Sequence, residues 1–333
     1  EINPMQYGTI VHYILERFFG EYTKEEYLSL EEDKFQKIVC AYLAEYAVKY
    51  FGEEQLESNS FTYRLKTILD NVMYLMKHIM EELSQSEFFV ADCELKIGED
   101  IPSYTIVLPD GHKIAVCGSV DRVDIMQRAD ITYLRIIDYK TGTKQFKLSD
   151  ILYGINLQML LYLHSIEASG GDKYGEIVPA GILYMPATVP YISSDSLKSI
   201  DKLPDELNKK LKMNGLLLKD TEIIHGMDKT DVATYIPVKI KAGEPVSSTS
   251  LATLAEFGKI FKKVDMLIAE MGKNIYNGNI EAKPLKGGHD SCEYCPYDSV
   301  CAYRQSNPIT CFSVDNKTVI EEITNEINGK EEE

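Results

Sequence analysis

The sequence predicts an α/β fold in which a mixed sheet is flanked by helices and carries helical insertions and a C-terminal cysteine segment. Apolar residues recur at helical spacing near residues 7–19, 33–50 and 61–84, and again from Ser149 to about Ala168. Between about 90 and 140, and from Ile177 to Ala187, β-branched and aromatic residues take over in short runs, as strands require. Helix, meander, helix and strand in that order is the pattern of a sheet with helices packed on it. A chain of 333 residues with 44% hydrophobic content is long enough to bury a substantial core.

In the first helix Val11, Ile14, Leu15 and Phe18 form the apolar face, and His12 sits at its edge. A lone histidine in that place is more often a satisfied core residue than a ligand. The runs Cys117 to Met126 and Thr132 to Lys140 flank Gln-Arg-Ala-Asp and read as an antiparallel hairpin, with Asp121 opposite Ile137 or Asp138. Side chains alternate along a strand, so Lys140 shares a face with Asp138, whereas Arg122 and Asp124 project away from Asp121. We therefore read Arg122 and Asp124 as structural partners. Glu94, on the first strand, is either a third acid of the same site or a solvent-facing residue.

Two carboxylates and a lysine at one strand end have a chemical use. Hydrolysis of a phosphodiester needs neutralised phosphoryl oxygens and a deprotonated water, and a divalent ion on hard carboxylate oxygens supplies both. Downstream, Gln158 and Tyr162 share a helix face four residues apart, although Leu157, Leu160, Leu161 and His164 already account for that helix as amphipathic. Cys292, Cys295 and Cys301 form a C-x2-C-x5-C run, a spacing typical of zinc or iron–sulfur ligation. Three ligands are too few for either; Cys311 could close a four-cysteine zinc site. Cys40, Cys93 and Cys117 sit in apolar patterns and are expected to be buried small hydrophobes.

Gly118-Ser-Val-Asp121-Arg-Val-Asp124, followed by Asp138-Tyr-Lys140 and by Gln158-Met-Leu-Leu-Tyr162, resembles the PD-(D/E)xK nuclease superfamily in its RecB-like branch. Val120 stands where the superfamily name has proline. The resemblance implies a restriction-endonuclease-like core and catalytic roles for Asp121, Asp138, Lys140, Gln158 and Tyr162. It implies a metal, Mg2+ with Mn2+ as substitute, held by His12, Asp121, Asp138 and the Tyr139 backbone carbonyl, with Glu94 as a further candidate. It also implies a 4Fe-4S cluster on Cys292, Cys295 and Cys301, whose fourth cysteine precedes the core and so staples the two ends together. No cysteine precedes His12, and the chain opens on Glu1-Ile-Asn-Pro, so it reads as a C-terminal piece cut after that ligand, with the cluster incomplete or absent and Cys311 as fallback.

On this reading residues 1–19 form the first core helix, 20–86 a helical insertion, 87–188 the nuclease core and 189–248 a second insertion. Within that second insertion Pro190, Ser193-Ser194, Pro204, Gly215 and Gly243 break the pattern. Residues 249–316 carry a long helix from Thr249 to Asn274 and then the cysteines, and 317–333 are expected to be a disordered tail.

By the same resemblance the chain is a metal-dependent DNA exonuclease module that processes double-strand-break ends for recombinational repair, cutting the strand that ends 5′ as DNA is unwound. Its partners are single-stranded DNA at unwound ends and a helicase–nuclease subunit, with no membrane. The absence of a secretory signal and an odd count of seven cysteines fit a reducing bacterial cytoplasm. There is no phosphate-binding loop, since Gly170-Gly171 continues as Asp-Lys-Tyr, so any motor lies outside this sequence. A net charge of −17 opposes the DNA backbone, so either the DNA path is a local channel fed by a larger machine, or the chain is not a nucleic-acid enzyme and the hairpin motif is coincidental. Two other readings remain: a catalytically silent end-binding or scaffold domain with a structural metal, and a CRISPR-associated four-cysteine nuclease, for which the insertions make the chain too long.

Overall fold

A computed structural model describes residues 2–142, 144–190, 192, 203–247, 249–297, 299–301, 303 and 308–331. Six long helices frame it: α1 (Pro4–Glu21), α2 (Glu32–Phe51), α3 (Asn59–Gln85), α4 (Gln158–Ser169), α5 (Leu254–Tyr276) and α6 (Asn316–Glu331). The main sheet has six strands: β1 (Phe89–Ile97), β2 (Gly118–Arg128), β3 (Ile131–Lys140), β4 (Glu176–Pro186), β5 (Asn214–Leu218) and β6 (Leu251–Ala252), laid side by side in chain order. Strands β1, β2 and β3 pair antiparallel, β4 lies parallel to β3, β5 antiparallel to β4, and β6 parallel to β5. A parallel step needs a crossover, and α4 supplies it between β3 and β4. The expected mixed α/β fold is what the chain adopts.

Local chemistry explains the elements. Asn3 caps α1 by accepting from the Gln6 backbone while Gln6 reaches back, and Pro4 occupies the first helical position, where its missing N–H costs nothing. Ile10, Val11, Ile14, Leu15 and Phe18 are buried, which fixes His12 at the edge of the buried stripe. Strand β3 runs Leu134, Ile136, Ile137, Asp138, Tyr139 with both faces covered, as a central strand must be. Gly215 of β5 is required by close approach, since a Cβ there would lie 2.0 Å from the Ile182 carbonyl oxygen.

Four expectations change. The helix foreseen from Ser149 to Ala168 is two elements, a 3-10 segment (Leu148–Tyr153) and α4, because Gly154 (φ 67°) and Asn156 (φ 55°) turn left-handed between them. Residues 189–248 are not all peripheral: β5 extends the main sheet, while Ser193-Ser194 lies outside the described residues. The acidic end is not a disordered tail as far as Glu331. Val319, Ile323 and Ile327 recur every fourth residue, all buried, and seat α6 on α5, with Lys263 Nζ 2.5 Å from Glu326 Oε2. Among the cysteines read as buried, Cys117 is exposed and Cys40 and Cys93 only half-buried; Cys117 lies at the junction between the Tyr104–Val107/Lys113–Val116 hairpin and β2.

On the back of the sheet, Arg122 and Asp124 of β2, Arg135 of β3 and Glu82 of α3 are all fully buried. Arg135 donates to Glu82 at 2.6 Å and to Asp124 at 3.0 Å, and Arg122 to Asp124 at 2.9 Å and Glu82 at 3.4 Å. Two cations balance two anions, so the helical segment before β1 is keyed to the sheet with no net buried charge. Among the described residues no helix is long and apolar enough to cross a membrane.

Candidate metal centre

Strand register builds the site. Cys93 pairs with Arg122 and Leu95 with Val120, so Glu94 and Asp121 stand opposite each other between those pairs. On the other side Arg122 pairs with Ile137, and one step further brings Asp121 to Asp138. Three acids on three adjacent strands thus lie in a row. α1 crosses above them and lowers His12 into the gap: Nδ1 lies 3.2 Å from Glu94 Oε1 and Nε2 3.7 Å from Asp121 Oδ2.

His12, Glu94 and Asp121 each offer a ligand atom within 4.8 Å of the others. Ser119 donates to Glu94 Oε2 at 2.9 Å, and the Tyr139 backbone N–H donates to Asp121 Oδ2 at 2.9 Å, so both carboxylates are held in place by neighbours. Glu94 adopts φ 50°, a left-handed conformation that glutamate rarely takes and that costs on the order of 1 kcal/mol. Asp138 is buried, with Oδ2 2.5 Å from Lys140 Nζ in an ion contact that lacks hydrogen-bond alignment. It stands beside the trio rather than within it.

The electrostatics follow from crowding. Burial pushes the Asp121 carboxyl up to about 6; His12 opposes the shift and Asp138 adds to it. For His12, burial works against the charged ring, but the hydrogen bond to Glu94 and the charge of Asp121 outweigh it and hold the pKa above its ordinary value. That hydrogen bond holds Glu94 below the usual carboxylate range. The hard oxygen donors with one imidazole suit a divalent ion.

Tyr162 lies against β2: a Cβ on Gly118 would meet its hydroxyl at 2.2 Å, which is why glycine opens that strand. Gln158 is exposed one turn earlier on α4 and makes no described contact with the carboxylates. The part played by Ser119 was not foreseen, because only the folded register shows it facing Glu94. Cys292, Cys295 and Cys301 line one cavity of about 410 Å³, whereas Cys311 is buried in a separate strand pair with Leu285–Gly287.

A row of acids at the ends of paired strands, overlooked by a helix-borne histidine, makes this an α/β domain with a candidate divalent-cation site. Residues 1–302 match the PD-(D/E)XK nuclease superfamily, and the chain belongs to that family. It is 34% identical over 313 residues to the AddB subunit of the ATP-dependent helicase/deoxyribonuclease of Thermoanaerobacter sp. strain X514, covering 90% of this chain and 27% of that protein. The corresponding subunit from Alkaliphilus oremlandii is 32% identical over 336 residues (96% and 29%), and that from Clostridium kluyveri 36% over 281 residues (82% and 24%). The chain spans about a quarter of the length of these relatives.

Proposed function

We propose that the chain is a divalent-metal-dependent deoxyribonuclease module, acting as an exonuclease on single strands at unwound double-strand-break ends within a bacterial, cytoplasmic helicase–nuclease. The observation that carries this reading is the convergence of His12, Glu94 and Asp121 within 4.8 Å, one register step from the Asp138–Lys140 pair. Mg2+, or Mn2+ in its place, would be held by His12, Glu94 and Asp121, with Asp138 and the Tyr139 carbonyl alongside. Bound there, the ion would neutralise phosphoryl charge and acidify a water.

The protein's own groups do the rest. Tyr139 N–H and Ser119 orient the two acids, and Asp138 holds the Lys140 ammonium at the mouth of the groove. From there Lys140 can donate to a phosphate oxygen or to the attacking water, and the family resemblance assigns Gln158 and Tyr162 supporting roles beside it. An AddA-like partner would supply a motor that this chain lacks. Cys292, Cys295 and Cys301 line one cavity and would supply three of the four thiolates of a 4Fe-4S cluster.

End-labelled single strands with Mg2+, Mn2+ or EDTA test the reading. Lys140→Ala is expected to lose at least about 100-fold in cleavage while keeping Mn2+ affinity, because it acts on water or phosphate. His12→Ala should instead weaken Mn2+ binding by about tenfold or more in a calorimetric titration. Equal losses of affinity in both variants would refute this division of roles, and cleavage that persists in EDTA would refute the metal itself.

A further inference from the structure

The groove that holds the metal centre does not end there. The same open cavity, about 720 Å³, runs from His12, Glu94, Tyr139 and Lys140 to Tyr13, Tyr46 and Tyr50 on α1 and α2. These three rings form a continuous run: Tyr13 to Tyr46 is 5.2 Å between centroids, and Tyr46 to Tyr50 is 4.4 Å. Tyr46 is only 5% exposed, whereas Tyr50, on the last turn of α2, is 55% exposed. A buried ring therefore backs an exposed one.

We propose that Tyr50, backed by Tyr46 and Tyr13, is a stacking platform for an unpaired nucleobase of the strand whose phosphate reaches the metal centre. The proposal rests on the nuclease reading above and adds the residue that selects single strands. Two arguments carry it. First, the chain carries a net charge of −17 and the groove sets Glu16 and Glu94 against Lys96 and Lys140, with no excess of positive charge for binding through phosphates, so affinity must come from a source that charge does not oppose. Aromatic faces supply it, and every base can use them. Second, bases stacked inside a duplex cannot present a face to Tyr50, so the platform admits only unpaired nucleotides. Lys49, with Nζ 5.0 Å from the Tyr50 centroid, can yield the ring to a base and meet the adjoining phosphate.

The test uses the 333-residue chain with oligothymidylate and with an abasic deoxyribose-phosphate oligomer of the same length. Tyr50→Ala should raise KM for single-stranded cleavage by about 5- to 100-fold, with the loss in KM rather than in kcat. Tyr50→Trp should restore it. In EDTA, wild type should bind oligothymidylate more tightly than the abasic oligomer, and Tyr50→Ala should lose that preference. An unchanged melting temperature verifies the fold of the variant, as its exposed position implies. If wild type cleaves but Tyr50→Ala keeps both its KM and its preference for bases, or loses kcat instead, the platform is wrong and the nuclease reading stands. If wild type neither binds nor cleaves single strands, both fall together.

Discussion

Asp121→Asn is expected to abolish cleavage and, without metal, to make the protein more stable than wild type at pH 7–8. Burial lifts the Asp121 pKa to about 6 from an ordinary 3.8, so the folded state holds this proton more tightly than the unfolded chain does. As pH rises from about 4 through 6, the unfolded state releases the proton first, and above that range the fold carries a buried charge. The burden is on the order of 2–3 kcal/mol, and asparagine removes it while still accepting from the Tyr139 N–H. A thermal scan in EDTA should thus show the variant melting several degrees higher at pH 8, the gap closing toward pH 4. Adding Mg2+ should reverse the order, because only wild type gains from ligation. A variant that melts lower at pH 8 in EDTA, or that still cleaves, contradicts the site.

Glu82→Ala should be among the most damaging substitutions in the chain although it lies on the opposite side of the sheet from the acids of the metal centre. Glu82, Arg122, Asp124 and Arg135 are fully buried and mutually neutral; without Glu82 two guanidinium groups share one carboxylate. Removing one member of such a set leaves an uncompensated buried charge and costs about 3–5 kcal/mol. Urea unfolding should show a lower midpoint with an unchanged slope. Combining it with Arg135→Met should recover part of the loss, because charge balance returns. A cost below about 1 kcal/mol would mean that water reaches the quartet.

The hairpin that carries Asp121 and Asp138 was legible because period-two alternation and a four-residue turn fix its register within one step; Ala129 makes the turn at φ 51°. The partnership of Arg122 with Asp124 followed from the same alternation. Glu94 was undecided in the sequence because its role depends on a left-handed backbone and on the approach of α1 and Ser119, all of them tertiary facts. The five residues of β5 are flanked by breakers, and their strand character comes from pairing with β4 and β6 rather than from their own pattern. In α6 the acidic composition hid the spacing of Val319, Ile323 and Ile327, whose apolar face has meaning only against α5. Gly154 split a run whose periodicity reads as unbroken on either side.

On the proposed reading, His12, Glu94 and Asp121 together hold a divalent cation. A crystal grown with Mn2+ and measured for manganese anomalous scattering tests it most directly. A single strong peak is expected, bonded to one His12 nitrogen and one oxygen from each of Glu94 and Asp121 at about 2.0–2.3 Å, and it should disappear in Asp121→Asn. A peak placed elsewhere, or one that survives that substitution unchanged, would contradict it.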